Sequence, residues 1–144
     1  MKKESLTFFK YIQCLQFHEQ LFSTGMNTTV EKGRHYETIA AEKLQSDHWR
    51  IVERNFRAHR YEADIIAVDG RDLVFVEVKF RKNNDDFDPG KSITQKKMKN
   101  IRFCAKYFLQ IHPEYSDYYC RFDTIILVNY GGEIKFIHYK NAFY

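Results

Sequence analysis

Between Tyr61 and Phe80 the chain reads YEADIIAVDGRDLVFVEVKF, and this stretch decides the fold. Two runs rich in Ile and Val flank a turn signal, Asp69-Gly70-Arg71-Asp72, so the segment reads as a β-hairpin. Ile65, Ile66 and Val68, then Leu73, Val74, Phe75, Val76 and Val78, give it the apolar content of a buried sheet. Asp64, Glu77 and Lys79 interrupt those runs. Charged side chains are almost never fully buried unless they are paired or bound to something. The hairpin therefore holds both the core of a domain and a candidate site.

Strand side chains alternate between faces. Val74, Val76, Val78 and Phe80 form one wholly apolar face, which must pack on something, most simply a helix. Leu73 and Phe75 share the other face with Glu77 and Lys79, so that face runs out of core and into charge. If the turn spans Asp69 to Asp72, Val68 pairs with Leu73 and Asp64 stands opposite Glu77. If it is only Asp69-Gly70, Asp64 is diagonal to Glu77. Both loops are even and keep the two carboxylates on one face. Such a pair repels, and a divalent cation offsets the repulsion. Mg²⁺ takes one or two protein carboxylates, keeps several waters and accepts a phosphate oxygen. A lysine about 6.7 Å along the strand can orient or deprotonate an attacking water, or hold the phosphate. Glu-x-Lys alone more often marks a cross-strand ion pair on an exposed face; Asp64 on the same face brings the two readings level.

Outward from the hairpin, Thr28-Thr29-Val30-Glu31 has the form of a capping box and opens a helix over about residues 30–46. Tyr36, Ile39, Ala40 and Leu44 are its buried stripe, and Glu37 lies close to that stripe. Arg50 to Arg57 is a strand. Asn83 to Gly90 is a loop by composition and is acidic. Ile93 to Ile111 is a helix with Ile101, Cys104, Ala105 and Phe108 facing inward, stopped by His112-Pro113. Arg121 to Asn129 and Glu133 to Tyr139 form a second hairpin around Tyr130-Gly131-Gly132. Arg121 and Asp123 read as a structural ion pair. Residues 5–22 carry apolar side chains at helical spacing and read as a further, N-terminal helix. The order is helix, three strands, helix, two strands, with no repeat and no second core.

The 144 residues suffice for one domain with a real core, and 44% hydrophobic content excludes a disordered chain. A net charge of +4 permits a polyanionic partner without requiring one. Cys14, Cys104 and Cys120 are odd in number and lack C-x-x-C spacing, which fits a reducing compartment rather than a disulfide framework or zinc site. The histidines show no metal-binding spacing. No apolar run approaches the ~18 residues of a membrane span. The start, MKKESLTFFKYIQCLQF, lacks the uninterrupted apolar stretch and cleavage site of a signal peptide. The chain is read as cytoplasmic, with no membrane partner.

Asp64 followed by Glu77-Val78-Lys79 resembles the D…ExK signature of the PD-(D/E)XK nuclease superfamily, which has the restriction-endonuclease-like fold. The chain more closely resembles the YraN-type family of small bacterial proteins, similar to Holliday junction resolvases. The resemblance runs from Gly33 to about Leu127. It is carried by Gly33-x-x-x-Glu37-x-x-Ala40, by Glu53 to Arg57, by Glu62-Ala63-Asp64-Ile65-Ile66-Ala67, by Leu73 to Arg81, by Lys97 and by Arg121-Phe122-Asp123. It implies an α/β, mixed-sheet αβββαβ core, here with a C-terminal hairpin and an extra N-terminal helix. Met26-Asn27 resembles the usual start of family members, so residues 1–25 read as an extension and 26–144 as a single nuclease-like domain.

By position, the resemblance makes Asp64 and Glu77 metal ligands for Mg²⁺, with Mn²⁺ as substitute. Lys79 becomes the water-positioning lysine and Glu37 an additional acidic residue. Tyr36 and Tyr61 stand where family members usually carry glycine; tyrosine there narrows the cleft or gives a base a face to stack on. Arg81, Lys82, Lys96, Lys97 and Lys99 form a basic zone suited to phosphate contacts. The function implied is a metal-dependent endonuclease hydrolysing DNA phosphodiester bonds, at branched or repair intermediates. The alternative is a nucleic-acid- or protein-binding module that keeps the fold without cleaving. A homodimer through the N-terminal helix is compatible with either.

Overall fold

The computed structural model describes residues 28–82 and 94–143. The extension 1–25 and the acidic loop Asn83–Gly90 lie outside these residues. Helix α1 (Thr29–Ser46) starts at the expected capping box: the Thr28 hydroxyl accepts from the Glu31 amide, and the Glu31 carboxylate accepts from the Thr28 amide. Strands β1 (Arg50–Ala58), β2 (Tyr61–Asp69) and β3 (Asp72–Lys82) follow, then helix α2 (Gln95–Ile111), a 3₁₀ turn at Pro113–Tyr115, and strands β4 (Tyr119–Tyr130) and β5 (Glu133–Tyr139). This is the αβββαβ order with a closing strand. The five strands form one mixed sheet in the order β1-β2-β3-β4-β5, parallel only between β3 and β4.

The β2–β3 register pairs Val68 with Leu73 and Asp69 with Asp72, the first of the two alternatives read from the sequence. The turn is then Gly70-Arg71, and Gly70 takes φ +63, a conformation that glycine reaches without steric cost. The apolar face Val74, Val76, Val78 and Phe80 packs against Tyr36, Ile39, Ala40 and Leu44 of α1, with Ile65, Ala67, Ile125 and Leu127. The opposite face, Leu73 and Phe75 with Ile66 and Val68, packs against Ile101, Cys104, Ala105 and Phe108 of α2. The sheet is thus covered on both sides. Tyr36 is buried and stacked on Phe80, with centroids 3.7 Å apart and planes within 8°, so it fills core between α1 and β3 rather than a cleft.

The turn end of the β2–β3 hairpin is clamped by charge. Arg121 of β4 donates through Nε to Asp123 (3.0 Å), through Nη2 to Asp69 (3.0 Å) and through Nη1 to Asp72. Asp123 is fully buried; it also accepts from the Asn141 amide (3.0 Å) and lies 2.9 Å from His138 Nε2. Burial works against its charge, yet His138, Arg121 and the Asn141 amide together hold its pKa below the ordinary carboxylate range. The Arg121 guanidinium also rests 5.2 Å from the Trp49 ring. One residue thereby ties β2, β3, β4 and the α1–β1 connection. Asp123→Ala leaves Arg121 and His138 without their buried acceptor. It is expected to cost about 3–5 kcal/mol in urea unfolding; a loss below 1 kcal/mol would show the clamp to be dispensable.

Candidate active site

The β1–β2 ladder pairs Arg54 with Ile65 and Phe56 with Ala63, so Asp64 lies across from Asn55 in an unbroken register; the shift in this ladder comes earlier, between Ile51 and Glu53. Asn55 has φ +53, a left-handed conformation that asparagine tolerates better than most residues. Side-chain alternation breaks at the same place. Ala63 belongs to the α2-side core, whereas Ile65, two residues on, belongs to the α1-side core. Asp64 therefore sits at the crossover between faces. On the β3 side the ladder runs to Ile65–Val76, and the Val78 amide donates to Asp64 Oδ2 at 2.8 Å.

Glu77 follows one residue later than that last ladder pair and is buried beside Asp64. Asp64 is pushed up to about 7, first by burial and then by the charge of Glu77, against the opposing Val78 amide and Lys97. Lys97, from the first turn of α2, places Nζ 3.0 Å from Glu77 Oε2. Burial works against the Lys97 charge, but Glu77 and Asp64 outweigh it and raise its pKa above the usual lysine range. Glu77 Oε2 is buried, and the Lys97 ammonium is its close partner. Thr124, the β4 partner of Glu77, has a buried Oγ1 without a hydrogen-bond partner among the described residues. Buried polar groups are normally satisfied.

Lys79 shares the face of Glu77. Burial lowers its pKa, Glu77 opposes that, and Arg81 and Lys97 reinforce it. Glu37 approaches from α1. Its Oε2 accepts from Asn55 Nδ2 at 2.5 Å, while the adjacent Arg54 donates to Thr38 of the same helix at 2.8 Å. Burial raises the Glu37 pKa, the Asn55 hydrogen bond opposes this, and the charge of Asp64 adds to it. Asp64, Glu77, Lys79, Lys97 and Glu37 are thus electrostatically coupled. Arg81 donates to the Phe80 carbonyl at 2.9 Å, and Lys82, Lys96 and Lys99 are exposed. Lys97, expected in the basic zone, is instead part of the acidic centre.

Asn55 was not singled out from the sequence. Its signal is there, an asparagine inside an otherwise strand-like RIVERNFR, a residue type that tolerates left-handed backbone. Thr124 carried no comparable signal, being a strand residue among strand residues.

A divalent cation suits this donor set. Two adjacent carboxylates match the one or two carboxylates that Mg²⁺ uses while keeping waters. Among the described residues no group of three or more His, Cys, Asp or Glu is placed to hold a metal ion.

The profile of the uncharacterised protein family UPF0102 matches residues 36–127, which contain every one of these residues. The chain belongs to this family. It is 40% identical over 117 residues to a UPF0102 protein of Dechloromonas aromatica, covering 81% of this chain and 92% of that one. A UPF0102 protein of Lachnoclostridium phytofermentans is 40% identical over 118 residues, covering 82% and 96%. One of Chlorobium chlorochromatii is 41% identical over 99 residues, covering 69% and 75%. No helix among the described residues is long and apolar enough to cross a membrane.

A carboxyl whose folded pKa is raised binds more protons folded than unfolded. Without metal, the Asp64 contribution therefore lowers stability as pH rises from the unfolded value near 4 to about 7. Asp64→Asn is expected to remove that fall. In chelator it should exceed wild type at pH 8 by on the order of 1–3 kcal/mol, with the difference shrinking toward pH 4. Chemical denaturation at several pH values reads this directly; parallel curves would mean that Asp64 is fully compensated by its neighbours.

Proposed function

We propose that this UPF0102 protein is a metal-dependent endonuclease hydrolysing DNA phosphodiester bonds. The observation that carries the reading is the buried Asp64–Glu77 pair with two lysines at its edge. Asp64 and Glu77 would hold Mg²⁺, or Mn²⁺ in its place. The cation would supply Lewis acidity toward a phosphoryl oxygen and charge for the developing phosphorane. The Val78 amide fixes the Asp64 carboxylate, freeing its other oxygen for the cation. Lys79, with its pKa lowered, can exchange a proton with the attacking water or orient it. Lys97 balances the charge of Glu77 and, at the edge of the acidic pair, would be available to a substrate phosphate. Glu37, kept in place by Asn55, adds negative charge near Asp64 and can accept from a water held between them. Lys96 and Lys99, exposed on α2, are suited to phosphates further along the strand.

The activity is tested on branched, single-stranded and duplex DNA with Mg²⁺ or Mn²⁺, beside Asp64→Ala. Cleavage by wild type and none by the variant is expected. Lys79→Ala should reduce cleavage about 10²- to 10⁴-fold with little change in DNA affinity or melting temperature. Unchanged cleavage, or unfolding of that variant, would assign Lys79 to a structural ion pair.

One contact favours a second reading, a nucleic-acid- or protein-binding module that retains the fold. Lys97 already neutralises Glu77 from within the chain. Calorimetry separates the two readings. Mn²⁺ binding that is lost in Asp64→Ala supports the endonuclease, whereas no heat of binding with DNA present supports the module.

A further inference from the structure

The tip of the β1–β2 hairpin closes through Ala58 and Tyr61, with His59 in the turn at φ +54. This tip lies against α2 through aromatic rings. Phe103 meets His59 at 5.7 Å and Tyr61 at 5.2 Å, and Tyr107 meets His59 at 5.6 Å. All three contacts are edge-to-face, so among the described residues no ring stacks in parallel on Phe103. Phe103 is 40% exposed, the most exposed aromatic of α2, and His59 is exposed beside it. The seam is rooted in the core, since Phe56 lies 6.3 Å from Tyr107 and 5.2 Å from Phe108. It is therefore an exposed aromatic surface on a rigid base.

Its surroundings select the occupant. Lys96 and Lys99 precede Phe103 by seven and four positions, on the same side of the helix, and both are exposed. Arg60 already lays its guanidinium 5.1 Å over the Tyr61 ring. An apolar protein partner would gain little from rings bordered by cations, whereas an unpaired nucleotide offers a base to the ring and a phosphate to the lysines. A duplex keeps its bases stacked on one another and leaves Phe103 nothing to receive. Tyr61 is three residues from Asp64 on β2, about 10 Å by strand rise, so a short run of unpaired strand reaches from the rings to the acids.

We propose that Phe103, supported by His59 and Tyr61, is a stacking platform for an unpaired base, and that the substrate carries a single-stranded segment beside the cleaved bond. The second clause rests on the endonuclease reading; the platform itself does not.

The test measures binding without metal. Fluorescence anisotropy in EDTA compares a labelled single-stranded oligonucleotide with a blunt duplex of the same sequence. Phe103→Ala is expected to weaken single-strand binding about 5- to 100-fold, leave duplex binding unchanged and leave the salt dependence of binding unaltered, since no charge is removed. Phe103→Leu keeps apolar cover over the hairpin tip but has no π-face. It should melt like wild type and still lose single-strand affinity. Single-strand binding by Phe103→Leu equal to wild type would overturn the proposal and leave the ring as a hairpin anchor. Equal losses on duplex and single strand would also overturn it. Because no cleavage is measured, an inactive wild type with the expected binding loss would refute the endonuclease and keep the platform. Cleavage without any binding loss would do the reverse.

Discussion

Two carboxylates held together away from water are the constraint around which this molecule is arranged. Desolvation and the charge of Glu77 both oppose ionisation of Asp64, and a sequence that needed only a stable sheet would place Val or Thr there. The remaining features of this region answer that cost. The Val78 amide leaves the strand ladder to bind Asp64, Lys97 comes down from α2 to Glu77, and Lys79 stands on the same face. Asn55 takes up left-handed backbone so that β1 can bend around Asp64 and fix Glu37. These departures from regular structure serve one centre, as expected where local rules are broken for function.

The opposite end of the hairpin shows the contrasting use of charge. Arg121 and its carboxylates are complementary in sign and number, and their hydrogen bonds are directed. Both carboxylates are buried, yet the pKa of Asp123 is lowered where that of Asp64 is raised. Asp123 has hydrogen-bonding cations and an amide around it, whereas Asp64 has a second carboxylate. One cluster is satisfied by the chain itself and acts as a clamp; the other is left electrostatically incomplete.

Much of this was legible in the sequence. The paired apolar runs around Asp69-Gly70-Arg71-Asp72, the capping box at Thr28 and the helical stripe Ile101, Cys104, Ala105, Phe108 follow from periods of 2 and 3.6 and from turn chemistry, which act locally. The adjacency of Asp64 and Glu77 followed from strand parity. Parity did not foresee that alternation breaks between Ala63 and Ile65, because that depends on how the sheet is bent around Asp64, a tertiary property. Nor could helical position tell Lys97 from Lys96 and Lys99. Which lysine meets the acids is set by how α2 lies over the sheet, a tertiary property. Tyr36 is buried as its place in the helical stripe implied; the cleft role suggested for it by the resemblance does not hold, because its ring is taken up by Phe80.

The β3–β4 pairing has a consequence for the order in which this protein assembles. Asp64 and Glu77 meet across a two-residue turn, a contact of short loop closure, whereas Lys97 arrives on a helix that must cross the sheet before β4 can add in parallel. The repulsive pair is thus assembled from local parts, and its balancing charge comes from a distant one. A hairpin that formed before α2 docked would hold its acids together without Lys97. A proton taken from solvent would offset that repulsion, so the closure of this hairpin ahead of α2 would be coupled to pH.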